Sequence, residues 1–116
     1  MQELLSSEEL SSEELEIVLR EREAGKVDFL LVDVREPSEY EAGHLAGVDL
    51  LRPTSTFSEW AQILLTEMQE RTIIFTCRTG ARSGQVQRIF KDNGHTAAIN
   101  HAGGIFSYRG KIESMA

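Results

Sequence analysis

Cysteine occurs once in the 116 residues, which excludes an intrachain disulfide and any cysteine-rich zinc site. Long apolar runs are missing. The longest span only a few residues, far short of the ~20 that a transmembrane helix needs, so a membrane is not an expected partner. The opening residues, Met1-Gln2-Glu3-Leu4-Leu5-Ser6, carry neither the basic start nor the apolar core of a secretory signal, and a cytoplasmic protein is expected. Positive charge is scarce, with 12 Lys+Arg against 19 Asp+Glu and a net charge of −7. Together with an aromatic content of 7%, this argues against nucleic acid as a partner. No Gly-, Ser- or Pro-rich linker divides the chain. One domain over residues 1–116 is therefore expected, with residues 1–10 as a loosely ordered extension. His-x-x-His and comparable spacings are absent, so no metal site is expected.

The acidity that is present is unevenly placed. Residues 1–23 hold eight acidic and two basic side chains, whereas residues 24–116 hold eleven and ten. Net charge thus describes one segment rather than the surface where chemistry happens. That segment repeats a pentad, Ser6-Ser7-Glu8-Glu9-Leu10 and Ser11-Ser12-Glu13-Glu14-Leu15. Serine followed by glutamate caps free N–H groups and places carboxylates at the positive end of a helix, so the pentad is helix-start chemistry used twice. Leu15, Val18 and Leu19 supply a short apolar stripe that ends near Ala24-Gly25. The acidic residues are then either the solvated face of this helix or a docking face for a partner.

Further on, apolar runs alternate with amphipathic ones. Val27 to Val34 is a nearly continuous apolar run of strand length, which suits a strand covered on both faces. Pro37 disfavours helical geometry at Glu36, and a short helical turn can begin after it. Val48 to Leu51, Thr72 to Thr76 and Thr96 to Asn100 are further strand candidates. Phe57, Trp60, Ala61, Leu64, Leu65 and Met68 recur at helical spacing and form a core-facing stripe. Residues 81–93 predict a helix with Val86, Ile89 and Phe90 inward, stopped by Asn93-Gly94. Gly103-Gly104 opens a short C-terminal helix or turn. The alternation predicts an α/β domain: a mainly parallel sheet of four to five strands with helices on both faces.

In such a sheet, ligands bind beyond the carboxyl ends of the strands. The third strand ends at Thr76, and Cys77-Arg78-Thr79-Gly80-Ala81-Arg82-Ser83 leads from it into a helix. Backbone N–H groups and the positive helix end can converge on the Cys77 sulfur there, and Arg78 and Arg82 add two charges nearby. Each effect favours thiolate over thiol. The alternative is a small buried hydrophobe. Such a residue fits more naturally inside Ile73 to Phe75 than just past it between arginines.

The loop resembles the active-site loop of rhodanese domains, sulfurtransferases that carry sulfane sulfur on a cysteine. Two other segments agree. Leu31-Val32-Asp33-Val34-Arg35-Glu36-Pro37-Ser38-Glu39-Tyr40-Glu41-Ala42-Gly43-His44-Leu45-Ala46-Gly47-Val48 is similar to the first signature of that family, and Gly103-Gly104-Ile105-Phe106-Ser107-Tyr108 resembles its C-terminal signature. The resemblance covers roughly residues 10–110. It implies a three-layer rhodanese-like domain in which Cys77 is the nucleophile and needs no metal or organic cofactor. Arg78, Thr79, Gly80, Ala81, Arg82 and Ser83 would bind the substrate. It also sets the first signature beside the loop, with Arg35 as a further anion contact and Asp33 orienting a loop group or pairing with an arginine. Glu36 and Glu39 are expected at the surface or in a turn. Arg52 could reach the rim. His44 is expected to be structural, and none of His44, His95 and His101 is expected to act as a base, since arginines and backbone dipoles can generate the thiolate.

Four residues separate Cys77 from Arg82, whereas phosphatases and arsenate reductases that resemble rhodaneses have five before their phosphate-binding arginine. The shorter cradle suits one sulfur atom. The expected reaction moves sulfane sulfur from a small anionic donor, such as thiosulfate or a persulfide, to cyanide or a thiol, a protein thiol included. The alternative is a persulfide carrier or sensor that docks a protein partner through the acidic residues 8–23.

Overall fold

The computed structural model describes residues 3–115. Five strands form one parallel sheet: β1 (Glu9–Leu10), β2 (Leu30–Asp33), β4 (Leu50–Leu51), β5 (Ile73–Thr76) and β6 (Ala98–His101), in the order β1-β6-β5-β2-β4. All residues of β2, β5 and β6 are buried, as strands covered on both faces require. Side-chain alternation sorts them into two apolar layers. Leu30, Val32, Ile73, Phe75 and Ala98 pack with α3 (Phe57–Glu67) and α4 (Ala81–Asp92) through Trp60, Leu64, Val86 and Phe90. Leu31, Ile74 and Ile99 pack on the other face against Leu15 and Val18 of α1 (Ser12–Glu23). Helices thus cover both faces of the sheet.

α1 starts as its sequence demands. The Ser11 side chain accepts from Glu14 N (3.1 Å), and Glu14 Oε1 accepts from Ser11 N (2.9 Å). The first copy of the pentad starts no helix, contrary to expectation. Asn100 N donates to Glu8 O and Ala102 N to Leu10 O, so the open edge of β6 takes this backbone as β1. Residues 9–10 are therefore not a loose extension, and Leu10 has no exposed surface; residues 1 and 2 lie outside the described residues.

The expected strands are present but shorter, and the last runs one residue past its expected end, to His101. Ile89 is exposed rather than inward. Gln87 takes the buried place instead, and its Nε2 donates to Glu8 O (2.8 Å) and Ala98 O (3.2 Å). A second sheet, absent from the sequence-based expectation, pairs β3 (His44–Leu45) antiparallel with β7 (Ile112–Glu113). α2 (Pro37–Ala42) carries its proline at the first helical position, where no N–H is needed. α5 (Gly104–Ser107) follows β6. No helix among the described residues is long and apolar enough to cross a membrane.

Candidate active site

Cys77 stands one residue beyond β5, and α4 begins four residues later. The intervening turn wraps the sulfur. Gly80 N donates to Sγ at 3.1 Å, Ser83 N at 3.4 Å and Ser83 Oγ at 3.3 Å. Burial by itself raises the thiol pKa. The Ser83 hydroxyl and the N–H groups of Ser83, Gly80 and Thr79 outweigh that effect, and the thiol titrates below its ordinary value. The cradle is thus made of neutral donors aimed at the sulfur. The Ser83 hydroxyl is a donor that the sequence expectation, framed around main-chain groups, did not include.

The turn is possible only with glycine at position 80. Its φ is +97°, and a Cβ there would collide with the Ala102 carbonyl. Gly80 O accepts from Gly84 N (3.0 Å) and from Asn100 Nδ2 (3.1 Å). Ile105 N donates to Cys77 O and Phe106 N to Arg78 O, both at 2.9 Å. The segment after β6 therefore backs the whole loop. Asn100 belongs to the site although no local motif marks it; only the β5–β6 pairing brings it there.

The arginines divide. Arg78 is exposed, like Thr79 and Ala81, and makes no ion pair among the described residues. Arg82 is clamped by Glu39, with Nη1–Oε1 2.8 Å and Nη2–Oε2 3.0 Å. The Arg82 guanidinium, helped by Glu36 N–H, lowers the Glu39 carboxyl to about 2 against the opposing effect of burial. Glu39 is therefore part of the site rather than a plain surface residue.

Arg35 does not contact the pocket as a free cation. It is buried, and its Nε and Nη2 bind both oxygens of Asp33 at 2.9–3.1 Å. Nη2 also donates to Gly43 O (2.7 Å), and Nη1 to Glu39 O (3.4 Å). Asp33 and Arg35 together anchor α2, and with it Glu39, beside the loop. Arg52 donates to Leu51 O (2.8 Å) and lines a hollow with Leu50, Trp60 and Ile63.

Each histidine has its own structural partner. His44 stacks on Tyr40 with ring centroids 3.8 Å apart and contacts Tyr40 O through Nδ1 (2.9 Å). His95 Nε2 contacts Arg71 O (2.8 Å). His101 is fully buried between Thr76 Oγ1 and Ser12 Oγ, both at 2.8 Å. Burial lowers its pKa to about 4. The unfolded chain binds a proton near 6.5 and the folded one only near 4, so stability present above pH 6.5 is lost as the pH falls toward 4. The loss amounts to roughly 3 kcal/mol. The urea midpoint should fall between pH 6.5 and 4.5, and the fall should be clearly smaller in His101→Leu. Glu39 contributes no slope there, because its stabilisation is lost only below about 4.5. An equal slope in both proteins would refute the assignment. Among the described residues, no group of three His, Cys, Asp or Glu side chains is placed to hold a metal ion.

Known proteins resemble this chain in sequence and in fold. The rhodanese-like domain family matches residues 14–111. The uncharacterized protein YqhL of Bacillus subtilis (strain 168) is 32% identical over 91 residues, covering 78% of this chain and 69% of that protein. Two longer relatives contain a similar stretch. The probable adenylyltransferase/sulfurtransferase MoeZ of Mycobacterium tuberculosis (strain ATCC 25618 / H37Rv) is 31% identical over 83 residues, 72% of this chain and 21% of MoeZ. The tRNA uridine(34) hydroxylase of Yersinia enterocolitica is 31% identical over 91 residues, 76% of this chain and 26% of the hydroxylase. This chain thus spans about a quarter or less of either. A crystal structure of a rhodanese-like domain protein from Staphylococcus aureus superposes with a TM-score of 0.75 at 23% identity, covering 95% of this chain and all of that one. With the sheet order, the cysteine-centred turn and a family match over most of its length, the chain belongs to the rhodanese-like domain family.

Proposed function

We propose that this protein is a sulfurtransferase that moves sulfane sulfur through a Cys77 persulfide. The observation that carries this reading is the set of donors converging on one buried sulfur. They stabilise an anion at Sγ before any substrate arrives, which is the preorganisation that covalent catalysis by sulfur requires. The Cys77 thiolate attacks the outer sulfur of thiosulfate. The new S–S bond forms as the old one breaks, and sulfite leaves with the bonding pair. Cyanide or a thiol then attacks the outer sulfur of the persulfide, and the cysteine departs as thiolate. A persulfide or polysulfide donor follows the same course. The cytoplasm, where glutathione and thioredoxin keep a lone thiol reduced, is the proposed setting.

Incubation with thiosulfate should add the mass of one sulfur to the intact protein, and later cyanide should remove it as thiocyanate. No mass gain with thiosulfate, polysulfide or glutathione persulfide would refute the reading. The ion pairs also rank the arginines. Arg78 is free to hold an anionic donor, so Arg78→Ala should raise KM for thiosulfate roughly tenfold, typical of losing a hydrogen bond to a charged group. Arg82→Ala should raise it less, because Glu39 already engages that guanidinium. Equal effects in steady-state kinetics would contradict this division.

A further inference from the structure

His101 takes no part in the sulfur chemistry, yet it is wholly buried and hydrogen-bonded through both ring nitrogens. An apolar side chain would fill a space at the end of β6 without the cost of desolvating an imidazole. What the ring connects is informative. Nδ1 meets the Thr76 hydroxyl, one residue before Cys77. Nε2 meets Ser12 Oγ at the start of α1, and Ser12 Oγ meets Ser107 Oγ (2.7 Å) at the end of α5. The chain of polar groups closes on backbone at both ends, through Thr76 Oγ1 to Cys77 O and Ser107 Oγ to Gly104 O. Its protons can run in either direction. In one arrangement Thr76 donates to Nδ1, Nε2–H to Ser12, Ser12 to Ser107 and Ser107 to Gly104 O. In the other, every donor reverses and Thr76 donates to Cys77 O. Every nitrogen and hydroxyl is satisfied in both.

Ser107 ties this chain to the loop. It is the last residue of α5, whose Ile105 and Phe106 N–H groups hold the carbonyls of Cys77 and Arg78. With the Cys77 and Arg78 carbonyls both held by α5, the turn is fixed just before Gly80, whose N–H donates to the sulfur at 3.1 Å. Gly104 meets the Arg78 carbonyl and Thr79 N so closely that any side chain there would collide, so the docking of α5 has little slack.

We propose that His101 is a positioning residue: by bridging Thr76 and Ser12 it fixes α5 against the loop, and α5 holds the turn from which the Gly80 N–H donates to the Cys77 sulfur. The proposal rests on Cys77 being the reactive sulfur and not on which donor or acceptor it serves. The test is the pH profile of iodoacetamide alkylation, which reports the titration of the single cysteine whether or not sulfur is transferred. His101→Leu and Ser107→Ala should each move the thiol midpoint upward by roughly one unit, as expected when a hydrogen bond to the sulfur anion is weakened. His101→Gln, whose amide can reach Ser12, should restore most of the shift. Val18→Ala, in the same apolar layer but outside this chain of hydroxyls, should lower stability and leave the midpoint unchanged. If His101→Leu does not fold, Ser107→Ala decides alone. A parental midpoint in folded Ser107→Ala, or an equal shift in Val18→Ala, would overturn the proposal. If thiosulfate transfer is absent but the midpoints move, only the reading of the reaction fails.

Discussion

Cys77→Ser is expected to abolish sulfur transfer while leaving the fold intact. The side chain is almost fully buried, and serine has nearly the same shape, so unfolding should change little. The Gly80 and Ser83 donors would still surround the side-chain atom. A serine hydroxyl, however, remains protonated near neutral pH and cannot form the S–S bond of a persulfide. Thiocyanate production should drop by about 10³-fold or more, the scale of removing a nucleophile from an intact site. The intact mass should not change with thiosulfate. Serine with even a tenth of the parental turnover would place the chemistry elsewhere. A silent serine variant whose parent gains one sulfur would locate the persulfide at the only thiol in the chain.

Asp33→Asn should be strongly destabilising although it lies outside the loop. Asp33 and Arg35 are both buried, and the carboxylate meets the guanidinium in a two-pronged contact. Removing one partner leaves an uncompensated charge away from water, which costs about 3–5 kcal/mol. For a chain of this size the midpoint of thermal unfolding should fall by roughly 10–20 °C. The change should also reach the reactive loop, because Arg35 holds the backbone at Glu39 and Gly43, and Glu39 holds Arg82. Asp33→Leu combined with Arg35→Met should cost less than Asp33→Asn alone, since two apolar residues leave no orphaned charge. In the cycle of Asp33→Leu, Arg35→Met and their combination, costs that simply add would show that the pair does not act as a unit.

That pair also shows where reading the sequence reached its limit. The sheet was legible because buried parallel strands are continuous apolar runs, and the cysteine stood out because it follows such a run. The first signature placed Arg35 near the loop, but its hydrogen bonds to Asp33, Gly43 and Glu39 leave it no free role at the mouth. A local signal existed: at a strand end, residues two apart lie on one face, so an aspartate and an arginine in that relation can pair with each other. The Glu39–Arg82 clamp had no such signal. Its partners are 43 positions apart and meet only through the placement of α2 beside α4. β1, β3 and β7 are two residues each, too short to carry a period; the open edge of β6 recruits β1, and β3 and β7 find each other only once the chain has folded.

The pairing of β1 with β6 has a temporal consequence. Glu9 lies opposite Asn100, so the first strand of the sheet must wait for one of the last. During synthesis from the N-terminus, about ninety residues emerge before that edge can close, and contacts of such long range form late. The same late segment supplies Asn100, Ile105 and Phe106, which hold the Cys77 turn from behind. A nascent chain that has made Cys77 but not residues 98–107 therefore has an unfinished cradle around its only thiol. The reactive group is made two-thirds of the way along the chain, but its anion-stabilising environment comes into being only as folding ends.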